Sequence, residues 1–199
     1  MKPRSIISVS KSLVAAMAAA ASIAAVAPAP AAAAAPSFAR SSFASQFPAR
    51  VLAAHNGVRA QAAMAPLVWD PALGASAAAY AQRMAFTNIF EHSDRRARRG
   101  VGENLWTGTR GAFSVERMVS DWASERRMFR AGIFPAVTRT RNWADVGHYT
   151  QIIWPTTTRV GCALASNGRA DYLVCHYSPA GNVDGRPVGT PAGLSYRTR

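Results

Sequence analysis

Apolar positions recur at a helical spacing in three stretches of this chain, and strand signals concentrate near its C-terminus. The clearest stretch opens at Asp70, a good N-cap, with Pro71 at the first helical position. Leu73, Ala77, Tyr80 and Met84 then share one stripe at spacings of four, three and four, which predicts a helix to about Thr87. An earlier helix is expected over 48–63, with Val51, His55, Val58 and Ala62 on one face, so that His55 points inward. A third, over 114–127, places Val115, Met118, Val119 and Trp122 on a core-facing stripe. Glu125 lies at the edge of that stripe, where partial desolvation makes a carboxylate seek a proton, a cation or hydrogen-bond donors.

Strands are expected over 160–165 and 172–177, joined through Asn167-Gly168, a pair that signals a hairpin. If Ser166 faces Asp171 across the turn, antiparallel register also sets Cys162 opposite Cys175, the chain's two cysteines. In an oxidising compartment they are expected to form one disulfide worth ~3 kcal/mol by loop closure. A reactive thiol is the weaker alternative, since no environment that would lower a thiol pKa is evident. Helices first and a hairpin last place the chain among mixed α+β layered domains, and spacing alone goes no further.

The 199 residues suit one compact domain plus a leader, and 49% hydrophobic residues are ample for a core. Lys2, Arg4 and Lys11 accompany an apolar run of 15 residues over 13–27, short of the roughly 20 that a spanning helix needs. Residues 1–27 therefore read as a secretory signal, with cleavage there or as late as residue 35, and an uncleaved membrane anchor as the alternative. No transmembrane segment is expected in the mature chain, which would be secreted or periplasmic. Residues 28–46, rich in Pro, Ala and Ser, read as a flexible tether, 47–185 as the folded domain and 186–199 as a tail.

Charge adds a further constraint. From Arg40 onward 20 arginines stand against 10 acidic residues, with no lysine. Clusters occur at Arg95, Arg96, Arg98 and Arg99, at Arg126, Arg127 and Arg130, and at Arg139 and Arg141. Guanidinium pairs well with carboxylates and phosphates, so an anionic envelope surface or lipid head groups are candidate partners. A solvated, solubilising face is the plainer reading. Nucleic acid ranks last, because no aromatic residues are interleaved to stack bases.

Of the four histidines, His55 shares the face of a core helix and His176 lies in the last strand beside Cys175. His92 and His148 sit in loop-like contexts and are the better candidates for chemistry, with Glu103 and Glu125 as carboxylate partners. Imidazole and carboxylate together can bind a divalent ion such as zinc, or exchange protons near neutral pH. The two-histidine helix of a zinc protease, the Gly-x-Ser-x-Gly elbow, the phosphate loop and the dinucleotide fingerprint are all missing from the sequence.

Over 47–182 the sequence resembles the CAP superfamily, the SCP domain of cysteine-rich secretory proteins, antigen-five allergens and pathogenesis-related proteins. The resemblance rests on Ala54-His55-Asn56 with Arg59, on Trp69-Asp70, on His92-Ser93, and on Gly102-Glu103-Asn104-Leu105. Trp122 with Glu125, the run Gly147-His148-Tyr149-Thr150-Gln151-Ile152-Ile153-Trp154, and the run from Cys175 to Asn182 complete it. It implies an α-β-α sandwich with a central antiparallel sheet and an open cleft, here of an exported, bacterial type. Carried over residue by residue, the cleft tetrad falls on His92, Glu103, Glu125 and His148, with the two imidazoles able to hold zinc or another divalent ion.

The chain departs from the family where Val146 replaces a frequent cysteine, and it lacks a cysteine-rich C-terminal extension, so channel blocking by such an extension is not expected. Arg95 to Arg99 should rim the cleft and favour an anionic ligand. Three functions follow in order: a module binding a small amphiphile, lipid or envelope component; a metal-assisted, peptidase-like hydrolase with Glu103 or Glu125 as general base; and an Arg-rich cationic interaction protein.

Overall fold

The computed structural model describes residues 38–189, so the expected signal peptide and residues 190–199 lie outside the described residues. Helix α1 (Phe38–Gln61) begins inside the stretch read as a tether and covers most of the helix expected over 48–63. After the short strand β1 (Val68–Trp69) comes α2 (Pro71–Thr87), started as expected by Asp70, whose carboxylate accepts from Ala72 N at 2.9 Å and Leu73 N at 3.2 Å. Asn88 closes it in the left-handed conformation, φ 57°, with its N–H on Met84 O. The buried stripe is Leu73, Ala77, Ala81 and Met84; Tyr80, expected within it, is half-buried and uses its hydroxyl on Glu91 O at 2.8 Å.

Strand β2 (Gly102–Thr109) leads to α3 (Val115–Ala123), capped by Ser114 and burying Val115, Met118, Val119 and Trp122. The third expected helix is thus α-helical only to Ala123; Ser124–Arg127 tighten into a 3-10 turn that carries Glu125. Then follow β3 (Gly132–Ile133), α4 (Gly147–Ile152), the hairpin β4 (Arg159–Ser166) and β5 (Ala170–Ser178), and β6 (Pro187–Val188). The hairpin has the expected register, with Ser166 opposite Asp171 and Cys162 opposite Cys175, and the two sulfurs are bonded. Past the expected domain end at residue 185, β6 pairs with β3 and Val188 is fully buried.

The main sheet has the order β1-β4-β5-β2. It is antiparallel as expected except at one edge, where β1 joins β4 in parallel through Val68–Arg159 and Trp69–Val160, making the sheet mixed. Alternation along β5 sorts the layers. Leu173, Cys175 and Tyr177 enter the core shared with Val51, Val119, Trp122 and Ile152, whereas Tyr172 and Val174 pack with Ala77, Ala81 and Met84 of α2. Helix α2 therefore covers one face and α1, α3 and α4 the other, which is the α-β-α sandwich. Gly161 permits the close approach of α2 to β4, since a Cβ there would run into the backbone of Gly74, Asp70 and Leu73. Among the described residues no helix is long and apolar enough to cross a membrane.

Candidate functional site

The site forms where the edge strand β2 begins, and the sheet's alternation decides what reaches it. Glu103 and Leu105 point to the α2 side, and the ladder sets Glu103 opposite His176 of β5. The loop leaving α2 delivers His92 and Ser93 to the same carboxylate. Its Oε1 accepts from His92 Nδ1 at 2.7 Å and Ser93 N at 2.9 Å, and its Oε2 from Ser93 Oγ at 2.6 Å and His176 Nε2 at 3.2 Å. The Arg98 guanidinium stands 3.6 Å from Oε1 and donates to Ser93 Oγ at 2.8 Å and Val101 O at 2.8 Å. Burial alone would raise the Glu103 pKa, but the donors on His176, His92 and Ser93 and the charge of Arg98 outweigh it and hold the carboxyl well below its ordinary range.

The second pair arrives from the other face. Glu125, in the 3-10 turn after α3, accepts from His148 Nδ1 at 2.6 Å through Oε1, and from the main-chain N–H groups of His148 and Tyr149 at 3.0 Å each through Oε2. Those N–H groups belong to the first turn of α4, where a carboxylate is favoured. The His148 ring stacks on Trp122, centroids 6.0 Å apart, and Asn104 of β2 donates to His148 O at 3.1 Å, tying this pair to the strand that carries the first.

His92 and His148 line one cleft of about 970 Å³. Their side chains are 57% and 32% exposed, against 0% for Glu103 and 17% for Glu125, so the imidazoles face the cleft and the carboxylates stand behind them. Each ring turns Nδ1 to a carboxylate, and no hydrogen bond within the described residues engages either Nε2. The walls combine Phe134, Trp143 and Val183 with Arg95, Arg98 and Asp184. Of the cluster expected at the rim, Arg95 and Arg98 line the cleft; Arg96 and Arg99 do not.

The metal-type atoms that lie within 4.8 Å of one another are elsewhere, on His55, Cys162 and Cys175. The sulfurs are bonded to each other, and His55 directs Nδ1 to Val51 O and Nε2 to the Tyr177 hydroxyl, both at 2.8 Å, so its donors are used within the fold. His176 and Ser93 were not among the expected site residues, and Arg98, expected at the rim, also reaches Ser93 and Glu103. His176 spans from Glu103 to Ser76 Oγ on α2, 3.1 Å away, and the signal for it lay in the register of β2 with β5, which the sequence does not print.

Comparison with known proteins places this geometry. The cysteine-rich secretory protein family, CAP, matches residues 52–177. The chain is 33% identical over 151 residues to pathogenesis-related protein PR-1 of Medicago truncatula, covering 75% of this chain and 80% of that protein. It is 33% identical over 148 residues to scoloptoxin SSD976 of Scolopendra dehaani, covering 69% and 66%. The solved structure of NaASP2 with Zn2+ superposes with a TM-score of 0.59 at 25% identity, covering 70% of this chain and 82% of that one. These named sequence relatives are plant and animal proteins and do not bear on the bacterial type expected. The family match and the sandwich agree over the same residues, and the chain belongs to the CAP, or cysteine-rich secretory protein, family.

Proposed function

We propose that the protein is an exported binding module that takes a small amphiphile, lipid or envelope fragment into the cleft, with a divalent ion held by His92 and His148. One observation carries this reading: both imidazoles offer a free Nε2 to a shared cleft, while both carboxylates behind them are already saturated with donors. Carboxylate-anchored imidazoles are the donor set that suits zinc, and zinc is the ion named with NaASP2. Bound there, the ion would supply a positive centre for an oxygen of the ligand. Apolar Phe134, Trp143 and Val183 beside cationic Arg95 and Arg98 suit a molecule with a greasy body and an anionic head.

A hydrolase would need Glu103 or Glu125 as general base. Glu103 is fully buried, accepts four hydrogen bonds and is held far below the pKa a base requires, and Glu125 has both oxygens committed to α4 and His148. Binding is therefore favoured over turnover.

Calorimetric titration of zinc into metal-stripped protein tests the ion site. His92→Ala and His148→Ala should each abolish saturable binding, and Glu125→Gln should weaken it by about 10–100-fold. Binding unchanged in both alanine variants would rule out the pair. For the organic ligand, equilibrium dialysis against lipids and envelope extracts should retain a component that Val183→Arg excludes, and failure to retain any across a broad panel would end the amphiphile reading.

A further inference from the structure

The end of α2 and the loop beyond it carry an apolar feature that the cleft does not use. Phe86 is 92% exposed, Ile89 52% and Phe90 49%. Single exposed apolar residues are ordinary, but three within five positions, two of them aromatic, form a protrusion. It is a held one. Asn88, between them, keeps its left-handed backbone with its N–H on Met84 O at 2.8 Å, and its Oδ1 accepts from the Tyr172 hydroxyl at 2.8 Å and from Asn167 Nδ2 at 3.2 Å. Just past Phe90, Glu91 O is tied to Tyr80 of α2. Both anchors fix the chain on either side of Ile89 and Phe90, so these side chains face solvent because the backbone holds them there.

The charges beside this protrusion say what would meet it. Residues 83–99 contain five arginines and two acidic residues, Glu91 and Asp94. Arg98 turns inward to Ser93 and Val101, but Arg83, Arg95, Arg96 and Arg99 are exposed. Arg83 stands three residues before Phe86 on α2, on the same side of the helix. Exposed aromatic and aliphatic side chains with exposed arginines before and after them in the sequence match the interface of an anionic bilayer, where apolar groups enter the acyl boundary and cations remain at the head groups.

We propose that Phe86, Ile89 and Phe90, with Arg83, Arg96 and Arg99, form a docking surface for an anionic lipid bilayer. The inference is independent of the cleft reading, since none of these six residues lines the cleft. A second copy of this basic chain would set arginine against arginine; an acidic protein surface could pair with the guanidinium groups, but an anionic bilayer offers both charge and an acyl boundary to apolar side chains that stand out from the surface.

The test places an environment-sensitive NBD probe on the full chain through Phe86→Cys, the two native cysteines being joined in the disulfide. Vesicles of phosphatidylcholine with about 30% phosphatidylglycerol should shift the probe's emission to the blue, and phosphatidylcholine alone should not. Raising salt from about 0.05 M to 0.5 M should reverse the shift at least in part. Combining Arg83→Gln, Arg96→Gln and Arg99→Gln in the labelled chain should weaken the response at least tenfold in lipid concentration. A probe that keeps its aqueous spectrum while the protein sediments with anionic vesicles would overturn the proposal, as would equal shifts on neutral and anionic vesicles. A blue shift that appears without vesicles and grows with protein concentration would assign the surface to a second copy instead.

Discussion

Glu103→Gln probes the centre of the site with the smallest change of shape. The wild-type carboxylate is fully buried and accepts from His92 Nδ1, Ser93 N, Ser93 Oγ and His176 Nε2. A glutamine with its oxygen at the Oε1 position keeps the first two as neutral bonds. Its amide then meets Ser93 Oγ, which can rotate to accept, and His176 Nε2–H, a second donor. The variant loses charge assistance on four bonds and strands one buried donor until His176 changes tautomer, while relief from burying a charge offsets part of this, for a net cost of about 2–4 kcal/mol. That corresponds to a melting temperature lower by roughly 5–15 °C.

The pH dependence has a definite sign. The Glu103 pKa is depressed in the fold from an ordinary value of 4.5, so its stabilisation is complete above that value and is lost as pH falls below it toward the folded value. The gap between wild type and Glu103→Gln in urea denaturation should be widest at about pH 7 and narrow at about pH 3. Equal midpoints at neutral pH, or a gap that does not close in acid, would refute the assignment of Glu103 as an ionised hub.

Other consequences follow from single contacts. Burial lowers the His55 pKa from 6.5 to about 4, so the ring stays neutral in the fold and the unfolded chain takes up a proton first as pH drops. Unfolding free energy should therefore fall between pH 6.5 and about 4, and urea denaturation of His55→Gln should show that slope reduced. Gly161→Ala should destabilise by about 2–3 kcal/mol or prevent folding, because the added methyl group meets main chain rather than a movable side chain; thermal melting checks it. Replacing Cys162 and Cys175 by alanine should cost about 3 kcal/mol for a loop of this length, measured by chemical denaturation under non-reducing conditions.

What the sequence made legible was whatever repeats locally. The Asp70-Pro71 start, the α2 stripe and the 166–171 turn are each set by neighbours a few residues apart, and Cys162 facing Cys175 followed from the turn by counting. Tyr80 packs at the margin of the α2 cluster, as the stripe predicts, but stays half-buried while its hydroxyl donates to Glu91 O, a tertiary demand that periodicity does not encode. The end of α3 was missed for a related reason: the 3-10 turn over Ser124–Arg127 coincides with Glu125 engaging α4, a contact 23 residues away. The tetrad came from family resemblance. The carboxylates' position behind the imidazoles, and the part of His176, depend on which face of β2 each side chain takes, and only strand register fixes that.

Register also explains why two such similar pairs can share one cleft. Adjacent residues of a strand point to opposite faces, so Glu103 gathers its donors from the α2 layer while Asn104 reaches His148 in the layer of α4. Each imidazole is thus anchored in a different half of the sandwich, with β2 as their common support. Glu103 holds His92 through Oε1 and is itself fixed to β5 by His176 through Oε2, and His176 in turn contacts Ser76 of α2. On the proposed reading, a ligand would meet two rings already tethered through Nδ1, and little of its binding free energy would go to ordering them. Residues 88–101, which carry His92, begin at the anchored protrusion of Phe86, Ile89 and Phe90, so the loop that completes the cleft is the same one that would rest on a bilayer.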